Sequence, residues 1–143
     1  MKKLVHYLEL RAFKYPTESS DKLKRAINTV LELNEKQLTK KLKKETLQTK
    51  EAEIVKYTYR TSNHGEIKNI VKKITSAEKS SVDPTKQMDE EGSLYIRINK
   101  QKAYQGKIET ERTGDIIHIR IKVAAYPATK KNLDDNLKEL LGR

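Results

Sequence analysis

Residues 94–99 read Leu-Tyr-Ile-Arg-Ile-Asn, with Leu94, Ile96 and Ile98 alternating against Tyr95, Arg97 and Asn99. A period of two sends successive side chains to opposite faces of a strand, so this run buries one face and wets the other. A chain that contains it must build a sheet with one packed side and one side in water. The wet side carries a phenol ring, a guanidinium and an amide. Lys100, Gln101, Lys102 and Tyr104 follow directly, and Gly106 lets the chain turn. Arg97, Lys100, Lys102 and Lys107 fall within a stretch that holds no acid. Such a one-sign cluster suits an anionic partner. The plainer use is a Lys-guarded sheet edge that resists aggregation.

Two other runs repeat the pattern. Ile117, Ile119, Ile121 and Val123 alternate with Ile116, His118, Arg120 and Lys122. Val55, Tyr57 and Tyr59 alternate with Ile54, Lys56, Thr58 and Arg60, which makes Tyr57 and Tyr59 core candidates. Leu4 to Phe13 reads as a further strand, with Leu4, Leu8, Leu10 and Ala12 on one face and Tyr7, Glu9 and Arg11 opposite. His6 falls on the apolar side and is expected to be a core histidine. A return strand is expected near residues 106–111.

Between these runs the spacing becomes helical. Leu23, Ala26, Ile27, Val30 and Leu31 predict a helix over about 20–33, capped by Ser19 or Ser20. Ile67, Ile70, Val71 and Ile74 predict a second over about 65–78, capped by Ser62 or Asn63. Leu133, Leu137, Leu140 and Leu141 predict a third, capped by Thr129. The Lys-rich segment 36–50 reads either as a helix or as a loop with a short strand near Glu45–Gln48. Neighbouring strands joined by short turns argue for an α+β domain over 1–143, with one mostly antiparallel sheet and about three helices packed on one face. On the face left open, Tyr95, Arg97, His118, Arg120 and Lys122 can lie together. Aromatics interleaved with cations on a sheet are a means of stacking bases and gripping phosphates.

Composition narrows the function. The 143 residues carry 31 Lys and Arg against 20 Asp and Glu, a net charge of +11, which is the footprint of a nucleic-acid binder. Cys is absent, which excludes disulfides and thiolate metal sites. No apolar run is long enough for a transmembrane helix, and the start does not read as a signal peptide, so a cytoplasmic location is expected. Phosphate-loop, dinucleotide and hydrolase-elbow motifs are missing. The acids Asp83, Asp89, Glu90 and Glu91 lack metal-loop spacing. His6, His64 and His118 lie far apart, so neither a catalytic set nor a metal site nor a cofactor is expected. His64, beside the expected second helix N-terminus, is placed to touch RNA, because helix N-termini attract phosphate. His118 among basic neighbours offers affinity that depends on pH. Tyr95 and Tyr104 are the best stacking candidates.

The segments HYLELRAF, SNHGEIKNIV, LYIRINKQKAYQGKI and DIIHIRIKVAAYP resemble an archaeal family of predicted RNA-binding proteins. That family is described as a predicted exosome subunit with a core like that of double-stranded-RNA-binding domains. Its fold is similar to that of the ribosomal large-subunit protein that binds 5S RNA. The resemblance is carried most specifically by Arg97, Lys100, Gln101, Tyr104 and Gly106, then by His64 and Gly65. Asn99 stands where the family pattern has Asp, and a single His precedes Gly65, which argues against carboxylate or paired-His chemistry. The resemblance implies RNA binding without catalysis, with exosome or ribosome-associated proteins as possible partners. The alternative is an adaptor that meets proteins in such an assembly. The expected RNA-contacting set is therefore Tyr95, Arg97, Lys100, Gln101, Lys102, Tyr104, His64, His118, Arg120 and Lys122.

Overall fold

The structure, a computed structural model, describes residues 3–77, 87–112 and 114–142. Five strands form one sheet: β1 (Val5–Lys14), β2 (Lys43–Gln48), β3 (Glu53–Thr61), β4 (Ser93–Asn99) and β5 (Ile116–Val123). Their order is β2-β3-β1-β5-β4, and every neighbouring pair is antiparallel. Among the described residues five helices accompany them: α1 (Ser20–Leu31), α2 (Glu35–Lys41), α3 (His64–Thr75), α4 (Lys100–Tyr104) and α5 (Lys130–Leu140). The α+β class and the antiparallel sheet are as the alternation predicts. No described helix is long and apolar enough to cross a membrane.

The core lies between one sheet face and the apolar stripes of α1, α3 and α5. The sheet contributes Leu8, Leu10, Ala12, Val55, Tyr57, Tyr59, Leu94, Ile96, Ile98, Ile117, Ile119 and Ile121, all buried. Leu23, Ala26, Ile27 and Val30 come down from α1, Ile67, Ile70, Val71 and Ile74 from α3, and Leu133, Leu137 and Leu140 from α5. Each such aliphatic side chain contributes roughly 1.5–3 kcal/mol of burial. Ser19, Asn63 and Thr129 cap these three helices by accepting from the backbone N–H groups of Lys22, Glu66 and Asn132.

Four local expectations change. His6 is exposed, because the β1–β5 register slips between Val5 and Tyr7. The slip adds a residue to β1, so Val5 and Leu8 both face the core and His6 turns out. The Lys-rich segment forms both α2 and β2, with Asn34 capping α2. The residues after β4 do not simply turn. Asn99 accepts from the Lys102 N–H and starts α4. The expected return strand reduces to a bridge between Ile98 and Thr110. Of the acids Asp83, Asp89, Glu90 and Glu91, Asp83 lies outside the described residues.

Gly92 fixes how α5 meets the end of β5. Its φ is +86°, and an added Cβ would sit 3.0 Å from the Val123 carbonyl oxygen and 2.9 Å from a Leu133 methyl. Gly106 has φ +79° but open space around it. Gly92→Ala is expected to cost about 2–3 kcal/mol in urea unfolding, and Gly106→Ala about 1 kcal/mol. Equal losses would mean that the Leu133 contact yields freely.

Candidate nucleic-acid interface

The face of the sheet away from the helices carries polar side chains in register. Arg11 of β1 pairs with His118 of β5, which pairs with Arg97 of β4. One row along, Arg60 of β3 pairs with Glu9, Glu9 with Arg120, and Arg120 with Tyr95. A third row joins Tyr7, Lys122 and Ser93. Neighbouring strands lie about 4.8 Å apart, so three strands bring these groups within roughly 10 Å of one another. The result is a shallow hollow lined by Glu9, Arg11, Tyr95, Arg97, His118 and Arg120, floored by Ile96 and Ile119.

Planar groups alternate across this face. The Arg60 guanidinium stands 4.0 Å from the Tyr7 ring centre. Arg120 stands 5.8 Å from the Tyr7 ring and 5.7 Å from the Tyr95 ring. These cation–π contacts hold the guanidiniums near the aromatic rings, and Tyr95 stays about half exposed. Arg120 also donates to the Ser93 hydroxyl at 3.2 Å. No described carboxylate lies within ion-pair reach of Arg11, Arg97 or Arg120. The Nε atoms of Arg11 and Arg120 are buried without a hydrogen-bond partner among the described residues. His118 is half-buried between Arg11 and Arg97. Burial first, then those two positive charges, hold its pKa below the ordinary value, so the ring is neutral at pH 7.

The expected set divides. Tyr95, Arg97, His118 and Arg120 meet in the hollow. Lys122 is on the same face at its end, with its ammonium on the Glu91 carbonyl. Lys100, Gln101, Lys102 and Tyr104 do not join them. They belong to α4, which packs on α1 at the covered side of the sheet; the Thr29 hydroxyl donates to the Ala103 carbonyl at 2.7 Å. Lys100 is 1 % exposed, and its ammonium sits on Glu18 at 2.9 Å, Asp115 at 2.7 Å and the Phe13 carbonyl at 2.9 Å. Gln101 donates to Asp115, the Tyr104 hydroxyl donates to Glu18 at 2.6 Å, and Lys102 lies 3.9 Å from Glu109. The acid-free look of this cluster is a property of the sequence only, since its acids arrive from elsewhere in the chain. His64 is the first residue of α3 and lines no part of the hollow.

Sequence reasoning left Arg11, Tyr7, Glu9 and Arg60 out of the site. Alternation put Tyr7, Glu9 and Arg11 on the wet side of β1. What it could not supply was the central place of β1 between β3 and β5. Among the described residues no group of three His, Asp or Glu side chains is close enough to hold a metal ion.

Known proteins resemble this chain in sequence and in fold. A family model described as RNA binding matches residues 7–123, which covers β1 through β5. Over 54 residues the chain is 44% identical to the RNA-binding protein PAB1135 of Pyrococcus abyssi (strain GE5 / Orsay), an alignment covering 38% of this chain and 35% of that protein. The chain thus spans about a third of the length of the curated relative it matches. Among solved structures it is similar to Mth689, a DUF54 protein from Methanothermobacter thermautotrophicus, with a TM-score of 0.77 and 27% identity, covering 97% of this chain and 99% of that one. The fold alone is shared with AF2318 from Archaeglobus fulgidus, with a TM-score of 0.75 and 22% identity over 95% and 99% of the two chains. With its matched span running from the first strand to the last, the chain belongs to this RNA-binding family.

Proposed function

We propose that the chain binds RNA through the uncovered face of its sheet and performs no chemistry of its own. The observation that carries this is the convergence of Arg11, Arg97 and Arg120, none held by a described carboxylate, on one hollow beside an exposed Tyr95. Guanidiniums present forked donors that match phosphate oxygens. Buried Nε–H groups without partners gain most from such an oxygen, because their desolvation has already been met by the fold. The neutral His118 ring adds a donor or an acceptor without repelling its Arg neighbours. Lys122 and Arg60 extend the positive face at either side. By the family resemblance, the RNA belongs to a processing pathway in which this chain accompanies the exosome.

The test is a fluorescence titration of a short labelled RNA against salt. Each phosphate neutralised on a single strand contributes about −0.7 to the log–log slope. Four to six contacts therefore give a slope of roughly −3 to −4. A flat slope, or no binding at low salt, would remove the reading. The adaptor alternative predicts a protein partner that stays bound after nuclease treatment of an extract, with no salt-dependent affinity for RNA itself.

A further inference from the structure

The hollow that lines up the arginines also contains one acid, Glu9. A site built only for phosphates gains nothing from a carboxylate in its lining, since it repels the backbone it is meant to hold. Glu9 is ion-paired to Arg60 at 3.8 Å, but Arg60 also faces the Tyr7 ring, and the Glu9 side chain stays one-third exposed and open to a ligand. In register it lies between Arg60 and Arg120, one strand from Arg120 and two from Tyr95. From the proposed RNA reading, on which this rests, we infer that Glu9 reads the edge of an unpaired base, and that the base is guanine.

The chemistry follows from which donors a carboxylate can accept. An ionised carboxylate is acceptor-only and takes two parallel donors at once. The Watson–Crick edge of guanine offers two adjacent donors, the ring N–H and the exocyclic amine. Adenine offers an amine beside an acceptor nitrogen, and so does cytosine. Uracil offers one N–H between two carbonyls. Only guanine satisfies both oxygens of Glu9 without opposing a lone pair to it. That edge is free only when the base is unpaired, so the ligand is single-stranded at this point. A planar partner for the base stands two strands from Glu9 on the same row: the half-exposed Tyr95 ring, roughly 10 Å away and within the span of one base. The flanking guanidiniums then take the phosphates on either side, and the carboxylate keeps the backbone from settling against β1.

The experiment compares uridine-rich strands that carry one central guanosine, adenosine or cytidine, titrated by fluorescence anisotropy against the wild-type chain and Glu9→Gln. The wild type is expected to favour the guanosine strand by about tenfold. In Glu9→Gln that preference falls to about twofold, while the other strands bind more tightly because a negative charge has gone. The divergence separates base reading from simple charge removal, which would tighten every strand alike. Salt-dependent wild-type binding with no preference among the strands overturns the role of Glu9 and leaves the RNA reading standing. No binding to any strand overturns both. The wild-type comparison stands whether or not the variant folds.

Discussion

Lys100→Ala is expected to lower stability by about 3 kcal/mol at neutral pH, a fall of about 10 °C in the melting temperature of a chain this size. The ammonium it removes is buried and holds together three separate parts of the fold. Glu18 belongs to the loop after β1, Asp115 precedes β5, and the Phe13 carbonyl is in β1 itself. With the cation gone, Glu18 keeps the Tyr104 hydroxyl and the Tyr15 N–H but faces a drier site without a counter-charge. Breaking a buried pair from one side leaves the cost of the other side in place, which is why the loss exceeds that of a surface pair. The pH dependence distinguishes this from lost packing. Burial alone would raise the Glu18 pKa, but hydrogen bonds from Tyr104, Lys100 and the Tyr15 N–H, with the ammonium charge, pull it below the ordinary value. A depressed folded pKa adds stability above the unfolded carboxyl range, and that stability is lost as pH falls through the folded value. The gap between wild type and variant is therefore expected to be full at neutral pH and to narrow below about pH 4. Thermal unfolding by circular dichroism across that range checks it. Coincident melting curves at neutral pH would show that Lys100 is not a support of the fold. Below the melting transition, the RNA affinity of Lys100→Ala is expected to match the wild type, which separates this residue from the phosphate-contacting set.

The behaviour of Lys100 shows where a sequence stops being informative. Strand alternation is local, so the split of β4 into Leu94, Ile96 and Ile98 against Tyr95 and Arg97 is legible from six residues, and so are the helix stripes of α1, α3 and α5. Partner choice is not local. Glu18 lies 82 residues before Lys100 and comes to it only because α4 folds back onto α1. The short α4 itself hangs on the Asn99 cap, a signal that a strand ending in Asn does not announce. The same limit hid two of the six side chains that line the hollow. Arg11 and Glu9 are visibly on the wet side of β1, yet their proximity to Arg97 and Tyr95 depends on β5 lying between β1 and β4. His6 fails for a related reason. A one-residue slip in the β1–β5 register reverses its face, and nothing in the run from Leu4 to Ala12 marks where the slip falls.

Position, rather than total charge, is what the open face contributes, and one pair of variants isolates it. Arg11, Arg97 and Arg120 replaced together by Gln are expected to weaken RNA binding about a hundredfold at moderate salt. The figure takes about 1 kcal/mol for each charged contact after solvent screening, or about 3 kcal/mol in all. The salt slope should become shallower by about 2, one phosphate per guanidinium. No described acid is paired with any of the three, so their loss is expected to cost about 1–2 kcal/mol, chiefly the Arg120 contacts with Ser93, Tyr7 and Tyr95, and to leave unfolding cooperative. The matching variant replaces Lys24, Arg25 and Lys36, which lie on α1 and α2 across the core from the hollow. It removes the same three charges from the same net +11, and long-range attraction falls equally in both proteins. Only contact with phosphate distinguishes them, so the helix-side variant is expected to lose no more than a few-fold in affinity. Equal weakening by the two would mean that the chain attracts RNA by its net charge, and the sheet face would then have no special claim on the polyanion.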